Sequence, residues 1–170
     1  GVTVERRSTQ LSLDSGAPKI ELTDLPGCYS LTARSAEEQV AISAVVGTPR
    51  YAPPDLVVLV VDATQIIRNL YLLVQLLELN VPCVVALNMV DEAGESAPSP
   101  ETINQIFGVP CVPTNGRDGQ GIAELKAAIA QTLGTQAPAP PAISYPPALL
   151  ADVAAVAAAL PESWTQDSHR

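Results

Sequence analysis

Hydrophobic and polar positions along the chain fall into blocks of two periods. Lys19 to Asp24 alternates apolar and polar side chains, as a strand with one buried face does, and then breaks on Pro26-Gly27. β-branched residues and alternation also predict a strand from about Val4 to Leu13. The turn residues Asp14-Ser-Gly-Ala-Pro18 join the two strands as a hairpin. Asp55 to Asp62 and Cys83 to Leu87 are instead nearly continuous apolar runs, the mark of strands covered on both faces. Leu70, Leu73, Val74 and Leu77 recur at helical spacing behind Thr64, which reads as the cap, and Ile122, Leu125, Ile129 and Leu133 do so ahead of Gly134.

The remaining elements follow from local signals. Ser35 with Glu38 forms a capping box for a helix through about Val46. Glu92 to Pro100 reads as a loop, and Ser99-Pro100 opens a short helix ended by Gly108. Val109 to Pro113 is a short edge-like strand, because proline donates no ladder bond. Ala137-Pro-Ala-Pro-Pro-Ala142 is a semi-rigid linker, and Pro147 to Leu160 is helical with apolar residues around much of its circumference. Strands alternating with helices predict a mostly parallel sheet with right-handed crossovers.

Composition narrows the function classes. A chain of 170 residues, 47% hydrophobic, suits one α/β domain with the start of a second. A net charge of −9 argues against a nucleic-acid surface and against attachment to anionic lipid. Apolar runs such as Leu56 to Val61 are far short of the ~20 residues that span a bilayer. No signal peptide is visible, and a start at Gly1 rather than Met leads us to expect a piece of a longer protein. Cys28, Cys83 and Cys111 show no Cys-x-x-Cys spacing and read as reduced thiols; the spacing does not support a metal site with His169.

The candidate chemistry lies where strands end. Asp24 is placed to hold Mg²⁺ at the carboxyl end of its strand, directly or through water, and Gly27 can bring a bare backbone N–H to a phosphate oxygen. Asp-x-x-Gly also occurs at Asp91 and Asp118, but only the Asp24 copy ends a clear strand and precedes a long helical pattern. Asn-x-x-Asp occurs at Asn88–Asp91 and at Asn115–Asp118, and only the first follows a buried strand. A carboxylate at Asp91 accepts only, and guanine offers two adjacent donors there, where adenine offers a lone pair. A site built on such an acceptor rejects the wrong base by ~10⁴. Asn88 can bond the other edge of the base, and the backbone N–H groups of Asn115 and Gly116 can reach the guanine carbonyl. The plainer alternative for Asn88 and Asp91 is a cap and a turn after a strand.

Gly1-Val-Thr-Val-Glu5, Thr23-Asp-Leu-Pro-Gly27 with Tyr29-Ser-Leu-Thr-Ala-Arg34, Val61-Asp-Ala-Thr64, Arg68-Asn-Leu-Tyr71, Gln75-Leu-Leu-Glu-Leu79 and Ala86-Leu-Asn-Met-Val-Asp91 together resemble the cytoplasmic G domain of the ferrous iron transport protein B family. Small GTPases place Lys after the Asn of the base-reading motif; Met89 stands there in this chain, as in that family. The resemblance implies a P-loop GTPase-like three-layer α/β sandwich over 1–135, a Pro-rich linker over 136–146 and the start of a helical domain over 147–170. It implies that Thr3 closes on Mg²⁺ and the γ-phosphate, that Asp24 holds Mg²⁺ and that Gly27 senses the γ-phosphate. Asn88, Met89 and Asp91 would read guanine, with Thr114, Asn115 and Gly116 as the last base-contact loop. Cys28 stands where many GTPases keep a water-orienting glutamine, so slow turnover is expected. No residue is assigned to catalysis.

The implied ligands are GTP or GDP with Mg²⁺, and K⁺ as in some members. The implied partners are the transporter's own helical and transmembrane domains, with oligomers forming through the latter. The implied location is the cytoplasmic face of the bacterial inner membrane, and the implied role is GTP hydrolysis coupled to Fe²⁺ uptake. No Gly-x4-Gly-Lys-Ser/Thr occurs in these residues. In the family that loop, with the first strand and first helix, lies upstream of the point corresponding to Gly1, and the strand sits between those ending at Asp24 and Asp62. This chain alone is therefore expected to bind nucleotide poorly and to be marginally stable. The contrasting reading is a pseudo-GTPase without a P-loop that serves as a protein-interaction module.

Overall fold

The computed structural model describes residues 7–13, 19–32, 35–48, 52–141 and 145–161. Strands β1 (Arg7–Ser12) and β2 (Lys19–Asp24) pair antiparallel, with Arg7 opposite Asp24. The expected hairpin therefore forms, but its strands stay mostly exposed, and Leu22 faces solvent. The alternation in Lys19–Asp24 signals a buried face, and among the described residues no third strand pairs with this ribbon.

The second sheet is parallel, with order β3 (Val57–Asp62), β4 (Cys83–Asn88), β5 (Cys111–Thr114). Its register sets Asp62 beside Asn88 and Asn88 beside Thr114, so all three strands end together. The middle strand is covered on both faces, and Cys83 to Leu87 are all buried. On one face Leu59, Val61, Val85 and Leu87 form a core with Leu72, Leu73, Leu76 and Leu77 of α2 (Ile66–Glu78) and with Ile103 and Phe107 of α4 (Pro100–Phe107). Val45 of α1 (Ala36–Val46) closes that core. Strand alternation turns Val84 and Ala86 the other way, toward α5 (Ile122–Thr132), which lies on β4 and β5 and buries Ala128 and Ile129. Two helical layers thus sandwich the sheet.

On that second face α5 stops short of β3. Val60 lies level with Ala86 in the register yet is 61% exposed. Among the described residues the free edge of β3 pairs with no strand, and the expected single sheet is split into two. The sequence reading puts one absent strand between β2 and β3, and the split lies at that position.

Local chemistry explains the element ends. Ser35 Oγ accepts from the Glu38 amide at 3.1 Å and starts α1 as expected. Ser99 does the same for the Thr102 amide at 3.1 Å, with Pro100 in the first turn of α4. At the end of β3 the cap is Asp62, not Thr64. Its Oδ1 accepts from the Thr64 amide at 2.8 Å and from the Thr64 hydroxyl at 2.6 Å, and a 3₁₀ turn (Ala63–Gln65) precedes α2. The stretch after Asp91, read as a loop, begins as one helical turn, α3 (Val90–Ala93), followed by a 3₁₀ turn (Gly94–Ser96). Helix α6 (Pro147–Ala159) forms where expected, with its residues exposed. Among the described residues no helix is long and apolar enough to cross a membrane.

Candidate functional site: a base-sized cavity at the carboxyl ends of the parallel strands

β4 and β5 deliver two loops to one end of the sheet. Asn88 is the last residue of β4, and Met89 then adopts a left-handed backbone, φ 60°. That conformation is uncommon for a residue with a side chain, and here it swings the chain directly into α3. Asp91 thereby falls in the first turn of α3, beside the cavity that opens next to Asn88. Asp91 makes no hydrogen bond or ion pair with another described residue.

The facing loop follows Thr114, the only buried polar residue among those described. Gly121 fixes where this loop must end: its φ is +77°, and a Cβ there would run into the Pro113 carbonyl. Asn115 and Asp118 brace the loop from within. Asn115 Oδ1 accepts from the Arg117 amide at 2.9 Å, and Asn115 Nδ2 donates to Asp118 Oδ2 at 3.1 Å. Asp118 Oδ1 accepts from the Gln120 amide at 2.9 Å. The second Asn-x-x-Asp is thus a self-satisfied loop clamp, while Asn88 and Asp91 both face the cavity. One hydrogen bond ties the loops together, from the Gly116 amide to Asn88 Oδ1 at 3.3 Å.

The cavity measures about 230 Å³ and is lined by Asn88, Met89, Asp91, Glu92, Asn115, Gly116 and Arg117. Five of the six residues expected to read the base therefore meet at one opening. Thr114 lies beneath it, buried, rather than on its wall. Glu92 and Arg117 were not anticipated. They follow Asp91 and Gly116 directly, and their opposite charges were the available signal; they approach to 4.0 Å.

Asp24 and Gly27 sit apart from this cavity. Asp24 ends β2 with its carboxylate exposed and without a hydrogen-bond or ionic partner among the described residues. The loop after it is pinned to α2. Leu25, Cys28 and Leu31 pack on the core, the Leu31 amide donates to Gln75 Oε1 at 2.8 Å, and the Arg68 guanidinium lies 3.7 Å from the centre of the Tyr29 ring. Gly27 itself has open space around it. Arg68 and Gln75 belong to segments that carry the family resemblance, yet sequence gave them no role. Burial pushes the Cys28 thiol up, with Glu38 adding to the effect, so it is not an activated nucleophile. Thr3 lies outside the described residues.

A parallel sheet between helical layers, with a cavity at its carboxyl edge walled by an Asn-x-x-Asp loop, defines the chain as a G domain of the P-loop GTPase fold class. The comparisons carry this to a family. The profile for ferrous iron transport protein B matches residues 1–129. The Fe(2+) transporter FeoB of Salmonella typhimurium is 42% identical over 135 residues, covering 76% of this chain and 17% of that protein. The same protein of Escherichia coli K12 gives the same identity and coverage. The cytosolic domain of Legionella (L. pneumophila) FeoB superposes with a TM-score of 0.78 at 35% identity, covering 89% of this chain and 58% of that one. The FeoB G domain of Methanococcus jannaschii superposes with a TM-score of 0.67 at 37% identity, over 78% of this chain and 81% of that one. The cytosolic domain of T. maritima FeoB is known in a GMPPNP form, with a TM-score of 0.78, 28% identity and coverage of 98% and 62%. The chain belongs to the ferrous iron transport protein B family. It spans about one sixth of the length of the curated relatives it matches, 17%.

Proposed function

We propose that this chain is the guanine-nucleotide switch portion of a ferrous iron transporter, in which GTP hydrolysis is coupled to Fe²⁺ uptake in the full-length protein. The observation that carries the reading is the convergence of Asn88, Met89, Asp91, Asn115 and Gly116 on one cavity. The unpartnered Asp91 carboxylate suits the two adjacent donors of guanine, and Asn88 Nδ2 suits the opposite edge. The nucleotide forms known for the T. maritima relative are consistent with this.

Mg²⁺ is the metal we assign to the phosphate side. An exposed carboxylate at a strand end, free of competing partners among the described residues, fits an ion that prefers oxygen ligands and keeps its waters. Asp24 would hold it, with Thr3 closing on it. Mg²⁺ would supply charge neutralisation at the β- and γ-phosphates. Gly27, with open space about it, is the backbone donor offered to the γ-phosphate. K⁺ enters the reading from the family resemblance alone.

The phosphate-binding loop belongs, in this reading, to a strand and helix of the full-length protein. The strand would fill the gap between β2 and β3, and the helix would cover Val60. Residues 147–170 would begin the helical domain, and the whole would stand on the cytoplasmic face of the inner membrane beside its own transmembrane domain. The test is a guanine-nucleotide titration with Mg²⁺ on the full-length protein. Micromolar or tighter GDP binding with a strong preference over ADP is expected. A protein that folds but ignores nucleotide would replace this reading with the interaction module.

A further inference from the structure

The loop after Asp24 has to present the Gly27 amide to a phosphate, yet its own backbone does little to hold it. Among the described residues, 25–32 make no backbone–backbone hydrogen bond. Ser30 Oγ accepts from the Thr32 amide at 3.3 Å, a local tie. The one hydrogen bond from this loop to the rest of the described residues runs from the Leu31 amide to Gln75 Oε1 at 2.8 Å.

Gln75 is built to be a fixed acceptor. It stands half-buried on α2, where its neighbours Leu72, Leu73, Leu76 and Leu77 are locked in the core. The Leu31 amide can only donate, so the carboxamide turns its oxygen to the loop. Its nitrogen then donates toward the Tyr71 hydroxyl, 3.5 Å away. Apolar contacts flank this latch: Leu25, Cys28 and Leu31 pack on the core, and the Tyr29 ring lies 3.7 Å from the Arg68 guanidinium. Gly27 has open space around it, so the place of its amide is set by what holds its neighbours. A thiol at Cys28 is a weak hydrogen-bonding group for an attacking water, which leaves hydrolysis more dependent on the loop backbone.

We propose that Gln75 is a positioning residue for the γ-phosphate: by holding the Leu31 amide it fixes the loop that presents the Gly27 amide. It acts through the loop, without touching nucleotide, and on the triphosphate state alone. This rests on the reading of Asp24 and Gly27 as the phosphate side of the site.

The full-length protein and its variants are titrated with GDP and with GMPPNP in Mg²⁺, and their steady-state GTP hydrolysis is followed. Gln75→Leu removes the acceptor at similar volume. It weakens GMPPNP about tenfold and lowers kcat roughly tenfold to a hundredfold, while GDP affinity stays within about twofold. Gln75→Glu keeps an acceptor oxygen and stays within about threefold of the wild type throughout. A glutamine that only supported the fold would weaken GDP and GMPPNP together, and that result overturns the proposal. So does a Gln75→Glu protein as impaired as Gln75→Leu. Should the leucine variant not fold, hydrogen exchange on the wild type decides: a Leu31 amide protected with GMPPNP bound supports the latch, and fast exchange there overturns it. Asp24→Ala separates the two layers. If it lowers kcat while Gln75→Leu changes nothing, only Gln75 is misassigned; if neither variant matters, or the wild type binds no guanine nucleotide, the phosphate-side reading falls and the proposal with it.

Discussion

Asp91→Asn is the substitution that most directly probes the cavity. It is nearly isosteric and leaves the first turn of α3 intact, but it exchanges one acceptor oxygen for a donor amide. The wild-type carboxylate has no partner among the described residues, so its acceptor capacity is uncommitted before a base arrives. Two hydrogen bonds to a charged group contribute about 1.5–3 kcal/mol each. Asp91 is exposed at the cavity mouth, which favours the lower bound, and the substituted amide retains one acceptor. A net loss of about 3 kcal/mol is therefore expected, roughly a hundredfold in GDP affinity. The same change should improve xanthosine diphosphate, whose base carries a second carbonyl where guanine carries the amine. Competitive displacement of a fluorescent GDP analogue from the full-length protein measures both. A variant that holds GDP within twofold of wild type and gains nothing with the xanthine nucleotide would refute the assignment of Asp91 as the base-reading group.

Three further outcomes are expected. Gly121→Ala must accommodate a Cβ against the Pro113 carbonyl at a positive φ, and should cost at least ~2 kcal/mol, seen as a fall of several degrees in a thermal scan; an unchanged transition would contradict the tight approach of α5 to β5. Gln75→Ala removes the acceptor of the Leu31 amide and should raise hydrogen exchange at residues 28–32 while leaving the exchange of β4 unchanged; equal exchange at both would show that the latch does not hold the loop. Burial pushes the Cys83 and Cys111 thiols up to about 12, with Glu101 adding to the effect at Cys111. The folded state therefore favours the neutral thiol: its contribution is complete below the ordinary value of 9.0 and is lost as pH climbs toward 12. Denaturant titrations across that window should show falling stability, less steeply in Cys83→Ala, and identical slopes would remove the thiols as the cause.

Much of this was readable from the chain because the informative residues lie in regular elements. Cys83–Leu87 is apolar at every position, which only a strand covered on both faces requires, and that context separated Asn88–Asp91 from the self-clamped Asn115–Asp118. The capping serines Ser35 and Ser99 did what their chemistry predicts. Other features had no local signal. The left-handed backbone at Met89 is imposed by its surroundings, since methionine has no preference for it. Asp62 displaced Thr64 as the cap because a carboxylate at the strand end reaches both the amide and the hydroxyl of Thr64. The contact of Gln75 with Leu31 joins residues 44 positions apart, and no periodicity encodes it.

The bare edge of β3 has a practical consequence. Val57–Val61 is an uninterrupted β-branched and leucine run with no charge and no proline, one rim of it pairs with no strand among the described residues, and Val60 adds an open apolar face. Such a strand is a template for another copy of itself. Produced as these 170 residues, the protein should accumulate as edge-to-edge aggregates at high concentration. A single lysine at Val60 should keep it in solution without disturbing the buried side of the strand.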